Sequence, residues 1–201
     1  MELDKQFEYD KNFGRIYEII VGEKLASSFL TMDVHDKKQY RDYGDFIIKK
    51  PGSANKKEYY IDVKADRRMA ETGNIFVEVA RAANGKDFRK GWINKHYDYL
   101  SVVDTVNQDI YIINFRKLLK EFDWTDKKIC FEYKGHTKDN GGKTLIKGYV
   151  INFMWLLSND YVQAVYTFDD EDVYIARIKM DAETKTEEQR CYVSPFLKGT
   201  P

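Results

Sequence analysis

The stretch GDFIIKKPGSANKKEYYIDVKAD, residues 44–66, decides the reading of this chain. Two apolar and aromatic runs, 46–48 and 59–63, flank the polar run 49–57, which contains Pro51-Gly52. β-Branched and aromatic residues on either side of turn-forming residues describe a β-hairpin. Side chains alternate along a strand, so Ile61 and Val63 point into a core while Asp62 and Lys64 point the other way. With the turn centred between Ser53 and Ala54, antiparallel pairing sets Asp45 opposite Asp62. Directly opposed residues have Cβ atoms about 5 Å apart. Two carboxylates that close repel each other and favour a bound cation. Lys64 follows on the same face at about 6.6 Å, within reach of an anion held by that cation. Paired hard oxygens beside a lysine suit Mg²⁺ and a phosphate.

Upstream, residues 7–30 are predicted to form a helix. Phe13, Ile16, Ile20 and Ser27 fall on one side at helical spacing, joined by Ile19, Ala26 and Leu30. Glu23 falls in the middle of that side, and Glu18 on the opposite, wetter one. A carboxylate aimed at a core needs a cation or a hydrogen-bond partner. A metal held by Asp45 and Asp62 is one such partner; a buried salt bridge, or a roll of the helix that exposes Glu23, is the other outcome.

Gly44-Asp45 followed by Asp62-Val63-Lys64 at the end of the next strand resembles the signature of the PD-(D/E)xK nuclease superfamily. That superfamily includes restriction endonucleases, Holliday-junction resolvases and many phage and repair nucleases. Gly44 stands where the family often has proline. GEKLASSFL, residues 22–30, resembles the G-E-x-x-A-x-x-x-L helix of several members, whose glutamate helps the metal site. In other branches an earlier glutamate does so, which keeps Glu18 in reserve. Gly91-Trp92 followed by Asp98-Tyr99-Leu100 resembles the segment after the third strand of many members. The resemblance covers about the first half of the chain. It implies a Mg²⁺ (or Mn²⁺)-dependent nuclease that hydrolyses DNA phosphodiesters. Asp45, Asp62 and the Val63 carbonyl would hold the metal, Glu23 would complete the site directly or through water, and Lys64 would orient or help deprotonate the attacking water and offset charge in the transition state. Many members act as homodimers, which is the family expectation here.

Residues 75–80 read as a third strand, with Ile75, Val77 and Val79 on one side and Phe76 and Glu78 on the other. Glu78 is either a further ligand or an ordinary solvent-facing glutamate. Strands are predicted at 98–103 and 109–115, and an amphipathic helix at 116–122. Beyond Trp124, KKICFEYK and KTLIKGYVINF read as strands separated by a loop at 135–142. A short helix at 154–157 and strands at 161–168, 173–180 and 191–193 complete the prediction. The expected fold class is α/β (α+β), a restriction-endonuclease-like mixed central sheet flanked by helices. It forms a single domain, with a nuclease-like core over 1–122 and a β-rich extension over 123–201.

The net formal charge is zero, but residues 37–95 alone carry +7. That stretch brackets the candidate site, and Lys49, Lys50, Arg67, Arg68 and Lys90 are its candidates for phosphate contact. Solvated loops account for any one of them equally well. No apolar run approaches the roughly 20 residues of a membrane span, and the acidic, polar N-terminus is unlike a signal peptide. Cys130 and Cys191 lie far apart without metal-ligand spacing and read as reduced thiols of a cytoplasmic protein. Gly141-Gly142-Lys143-Thr144 is a fragment of a phosphate-binding loop without its first glycine, and FDDED at 168–172 reads as a solvated acidic turn. The histidines 35, 96 and 136 lack zinc-type partners nearby, and His35 reads as a surface residue. Two carboxylates at this separation also occur in retaining glycosidases, but the lysine and basic surroundings favour phosphate over sugar. The alternative is a catalytically silent module of the same fold that binds DNA or a protein partner in a phage or restriction system.

Overall fold

The computed structural model describes residues 2–52, 57–83, 88–139 and 142–168. In chain order the elements are α1 (Glu2–Ala26), β1 (Leu30–Asp33), β2 (Phe46–Lys49), β3 (Tyr59–Asp66), α2 (Met69–Thr72), β4 (Asn74–Ala83), β5 (Arg89–Lys90), β6 (Tyr99–Asp104), β7 (Asp109–Asn114), α3 (Phe115–Glu121), β8 (Cys130–Asp139), β9 (Gly142–Asn152), α4 (Phe153–Ser158) and β10 (Val162–Thr167). The predicted strands at 173–180 and 191–193, the acidic residues 169–172 and Cys191 lie outside the described residues. No helix among the described residues is long and apolar enough to cross a membrane.

Six strands form a mixed sheet in the order β1-β2-β3-β6-β7-β10. The pair β3 and β6 is parallel, and every other neighbouring pair in it is antiparallel. Alternation decides which side chain meets which layer. Phe46, Ile48, Ile61 and Val63 face α1, where they bury Val21 and Leu25. Gly22 lets the helix come close, because a Cβ there would lie 2.9 Å from the Phe46 ring. The other face presents Leu100, Val102, Tyr111 and Ile113. A second, antiparallel sheet in the order β5-β4-β9-β8 covers that face, and Ile75, Val77 and Ile151 join the same core. The short helices α3 and α4 add Leu118 and Leu156 to it. Each starts directly after a strand, on an asparagine N-cap: Asn114 Oδ1 accepts from the Lys117 amide at 3.0 Å and Asn152 Oδ1 from the Trp155 amide at 2.9 Å.

Three expectations change. The strand at 75–80 is present as β4 but leaves the central sheet; β6 takes its place beside β3. The reason is burial on both faces: from Leu100 to Val103 every residue of β6 is buried, as a central strand requires. A parallel neighbour needs a long crossover, and β4 lies within it. The helix predicted to run to residue 30 stops at Ala26, and Leu30 opens the edge strand β1. The loop expected at 135–142 is mostly strand, because β8 and β9 stay paired out to Asp139 and Gly142.

Ser101 is a local conflict in this packing. It sits on β6 between Val63 and Ile112, wholly buried, and its hydroxyl has no hydrogen-bond partner among the described residues. A buried unpaired hydroxyl costs about 1–3 kcal/mol. Ser101→Ala is therefore expected to raise stability by about 1 kcal/mol, net of the small void it leaves. A urea melt in which the alanine variant unfolds earlier than the native chain would contradict this.

Candidate metal centre

Asp45 is positioned by backbone. Gly44 before it adopts φ +109, and a Cβ at Gly44 would lie 2.4 Å from the Ile61 carbonyl oxygen. Only glycine tolerates both conditions. Proline, with φ near −65°, is excluded here, which explains the departure at this position. The Asp45 amide then donates to the Ile61 carbonyl at 2.8 Å, and its own carbonyl accepts from the Val34 amide at 2.8 Å. On the side chain, Oδ2 accepts from the Val63 amide at 2.8 Å. That leaves Oδ1 turned toward His35.

The β2–β3 ladder runs from Ile48–Tyr59 to Phe46–Ile61 and ends one residue short of Asp45 and Asp62, which stay close enough for the Asp45 charge to act on Asp62. Asp62 is only 3% exposed. Its Oδ2 forms an ion pair with the Lys64 ammonium and meets no other hydrogen-bond donor among the described residues. Burial raises the Asp62 carboxyl above its ordinary value and the Asp45 charge adds to that, against the pull of Lys64. For Lys64, burial works downward, but the carboxylates of Asp62, Asp45 and Glu18 outweigh it and hold the ammonium above the ordinary lysine value. Lys64 also donates to the Val63 carbonyl at 3.2 Å and lies 6.0 Å from the centre of the Trp92 ring.

Glu18 and His35 complete the cluster. His35 Nδ1 lies 3.0 Å from Glu18 Oε2 and 3.4 Å from Asp45 Oδ1. Glu18, His35 and Asp45 each offer a ligand atom within 4.8 Å of the others, a triad able to hold a metal ion. Arg15 braces it, donating to Glu18 Oε2 at 2.9 Å and to Asp33 Oδ2 at 2.7 Å. Asp33 Oδ1 in turn accepts from the His35 amide at 3.0 Å. A cavity of about 880 Å³ opens beside the cluster, lined in part by Arg15, Glu18, His35, Lys64, Arg67 and Arg68.

The brace has a pH signature. Burial raises the Asp33 carboxyl, but Arg15 and the His35 amide outweigh it and hold it below its ordinary value of 3.8. An acid whose folded pKa is depressed adds stability above its unfolded value and loses it as pH falls through the folded one. Asp33→Asn is thus expected to be less stable than the native chain near neutral pH, with the difference shrinking below pH 3.8. Urea midpoints of the two proteins along a pH series check this; a gap that persists in acid would assign the loss to something other than the carboxylate.

The remaining candidates separate clearly. Glu23 is exposed and does not line the cavity. The helix is rolled relative to the expected orientation: Ile16 and Ile19 are 55% and 49% exposed, while Val21 and Leu25 are buried. Glu18, Val21 and Leu25 stand at i, i+3 and i+7 on one ridge, which carries Glu18 inward; Glu23 lies two residues from both Val21 and Leu25, and so on the far side. Glu78 is buried, not solvent-facing, and is held by Arg81 through Oε2 at 2.6 Å in the second sheet. Val63 is buried beside Asp45. Lys49 pairs with Glu58 at 2.8 Å, Lys50 is exposed, and Lys90 is exposed on β5 away from the cavity lining. Arg67 and Arg68 line the cavity, with the Arg67 guanidinium 3.6 Å from the centre of the Phe13 ring. His35 and Arg15 are the members that sequence reasoning missed. The available signal was the apolar and polar alternation of LTMD, which ends two residues before His35 and marks an edge strand leading to the site.

The fold and site define a mixed α/β protein whose central mixed sheet carries a carboxylate, histidine and lysine cluster at one edge of its hairpin. No protein-family model matches the chain, and no curated protein or solved structure matches it.

Proposed function

We propose that this chain is a divalent-metal-dependent nuclease of the PD-(D/E)xK type, hydrolysing DNA phosphodiester bonds. The observation that supports the reading is the ion pair of Asp62 with Lys64 next to Asp45, whose Oδ2 accepts from the Val63 amide. Asp45, Asp62, the Val63 carbonyl and Glu18, in place of Glu23, would hold Mg²⁺ or Mn²⁺. Of that set, Glu18 and Asp45 already converge, together with His35, while Asp62 Oδ2 and the Val63 carbonyl are turned to Lys64, which an arriving ion would have to displace. When bound, a divalent ion supplies positive charge to the phosphate and to the attacking water. Lys64 is kept protonated by its carboxylate neighbours, so its part is that of a cation that orients the water and offsets charge developing on the phosphate. Arg67 and Arg68 offer phosphate contacts at the cavity wall.

One observation favours the silent-module reading. Glu18 Oε2 is already shared by Arg15 and His35, and Asp62 already pairs with Lys64, so two of the carboxylates have partners within the chain. Incubation with linear, circular, branched and single-stranded DNA plus Mg²⁺ or Mn²⁺ separates the two, alongside calorimetric titration of the metals. Metal-dependent cleavage supports the nuclease. Cleavage of nothing, together with no metal binding at millimolar concentration, leaves the binding module.

A further inference from the structure

We infer that His35 is itself a metal ligand through Nδ1, and that it biases the site toward Mn²⁺ and similar first-row ions over Mg²⁺. This rests on the metal-centre reading above and adds the identity of the ion. His35 Nδ1 faces two carboxylate oxygens, Glu18 Oε2 at 3.0 Å and Asp45 Oδ1 at 3.4 Å. A ring nitrogen carries at most one hydrogen, so it can give a full hydrogen bond to only one of them. Asp45 Oδ1 has no other hydrogen-bond donor among the described residues, since the Val63 amide serves Oδ2. One cation inside the triad satisfies all three atoms at once.

The spacing admits a small cation. Ligands bound at about 2.1 Å stand about 3.0 Å apart at right angles and about 3.4 Å apart at tetrahedral angles. The two separations from His35 match those values. The donor type then selects among small ions. Carboxylate, carbonyl and water oxygens alone suit Mg²⁺, whereas an imidazole nitrogen raises the affinity for Mn²⁺, Fe²⁺ and Co²⁺ relative to Mg²⁺. His35 is also held in place as a ligand must be, because its amide is tied to Asp33, which Arg15 ties to α1. Its Nε2 lies 3.7 Å from the exposed Asp36 Oδ1, too far for a hydrogen bond, and would carry the ring proton once Nδ1 holds a metal.

The test uses the full chain, stripped of metal, titrated calorimetrically with Mn²⁺ and separately with Mg²⁺. Pulsed electron-spin-echo spectroscopy of the Mn²⁺ complex then looks for modulation from a directly bound nitrogen. The native chain is expected to bind Mn²⁺ at least about tenfold more tightly than Mg²⁺ and to show the nitrogen signal. His35→Gln and His35→Ala are expected to lose that signal and about tenfold or more in Mn²⁺ affinity, with Mg²⁺ affinity changed far less. Mn²⁺ bound without nitrogen modulation in the native chain overturns the inference and leaves the metal-centre reading standing. Binding of neither ion removes the metal-centre reading itself. The native-chain spectrum decides the matter even if both variants fail to fold.

Discussion

Asp62→Asn is expected to abolish metal-dependent cleavage, a loss of at least about 10³-fold, in a protein at least as stable as the native one. Asparagine keeps the shape and removes the charge that would hold the ion. The stability side follows from the direction of the Asp62 shift. Burial holds its carboxyl above the ordinary value, so the folded chain binds this proton more tightly than the unfolded one. Ionisation of Asp62 therefore works against the fold at every pH above its folded pKa, and an uncharged isostere removes that opposition. Lys64→Ala is expected to lose cleavage as well, with a different stability signature. It leaves the buried Asp62 carboxylate without its cation, and removing one member of a buried pair costs about 3–5 kcal/mol. Lys64 is 38% exposed, so water can enter in its place and the cost falls toward about 1–2 kcal/mol. Cleavage assays with Mg²⁺ or Mn²⁺, together with urea melts of both variants, test the pair of expectations. Undiminished cleavage by Asp62→Asn would end the nuclease proposal.

Gly44→Ala is expected to be among the most damaging single methyl additions in the chain, costing about 3–5 kcal/mol. Two independent penalties combine. The φ of +109 is strained for any residue with a Cβ, and the new methyl would lie 2.4 Å from a backbone oxygen that is already bonded to the Asp45 amide. Neither partner can move without breaking the β2 to β3 junction. Gly52 supplies the control: its φ is +66, and nothing lies within 4 Å of an added Cβ. Gly52→Ala carries the conformational penalty alone, about 1 kcal/mol. The difference between the two melting temperatures, about 10 °C for a chain of this size, isolates the clash. The same displacement swings the Asp45 carboxylate away from the Val63 amide, so metal affinity should fall with stability in Gly44→Ala and be retained in Gly52→Ala. Equal melting temperatures for the two variants would show that the Gly44 junction does not position Asp45.

The alternation of residues 59–66 determined, without any tertiary information, that Asp62 and Lys64 lie on one side of a strand and Ile61 and Val63 on the other, because a strand repeats every two residues; that the Asp62 side is buried as well was decided by the second sheet. Helix α1 offered no such constraint. Phe13, Ile16, Tyr17, Ile19, Ile20 and Val21 wrap apolar surface around much of its circumference, so its own periodicity left the inward direction open. The sheet chose, by offering the Phe46 ring a seat at Gly22, and that choice brought Glu18 inward and turned Glu23 out. The exit of β4 from the central sheet and the arrival of His35 beside Asp45 were likewise decided by tertiary structure. Both depend on which strand offers two buried faces and on how β1 is steered along the edge, and those are contacts between segments that no local pattern records.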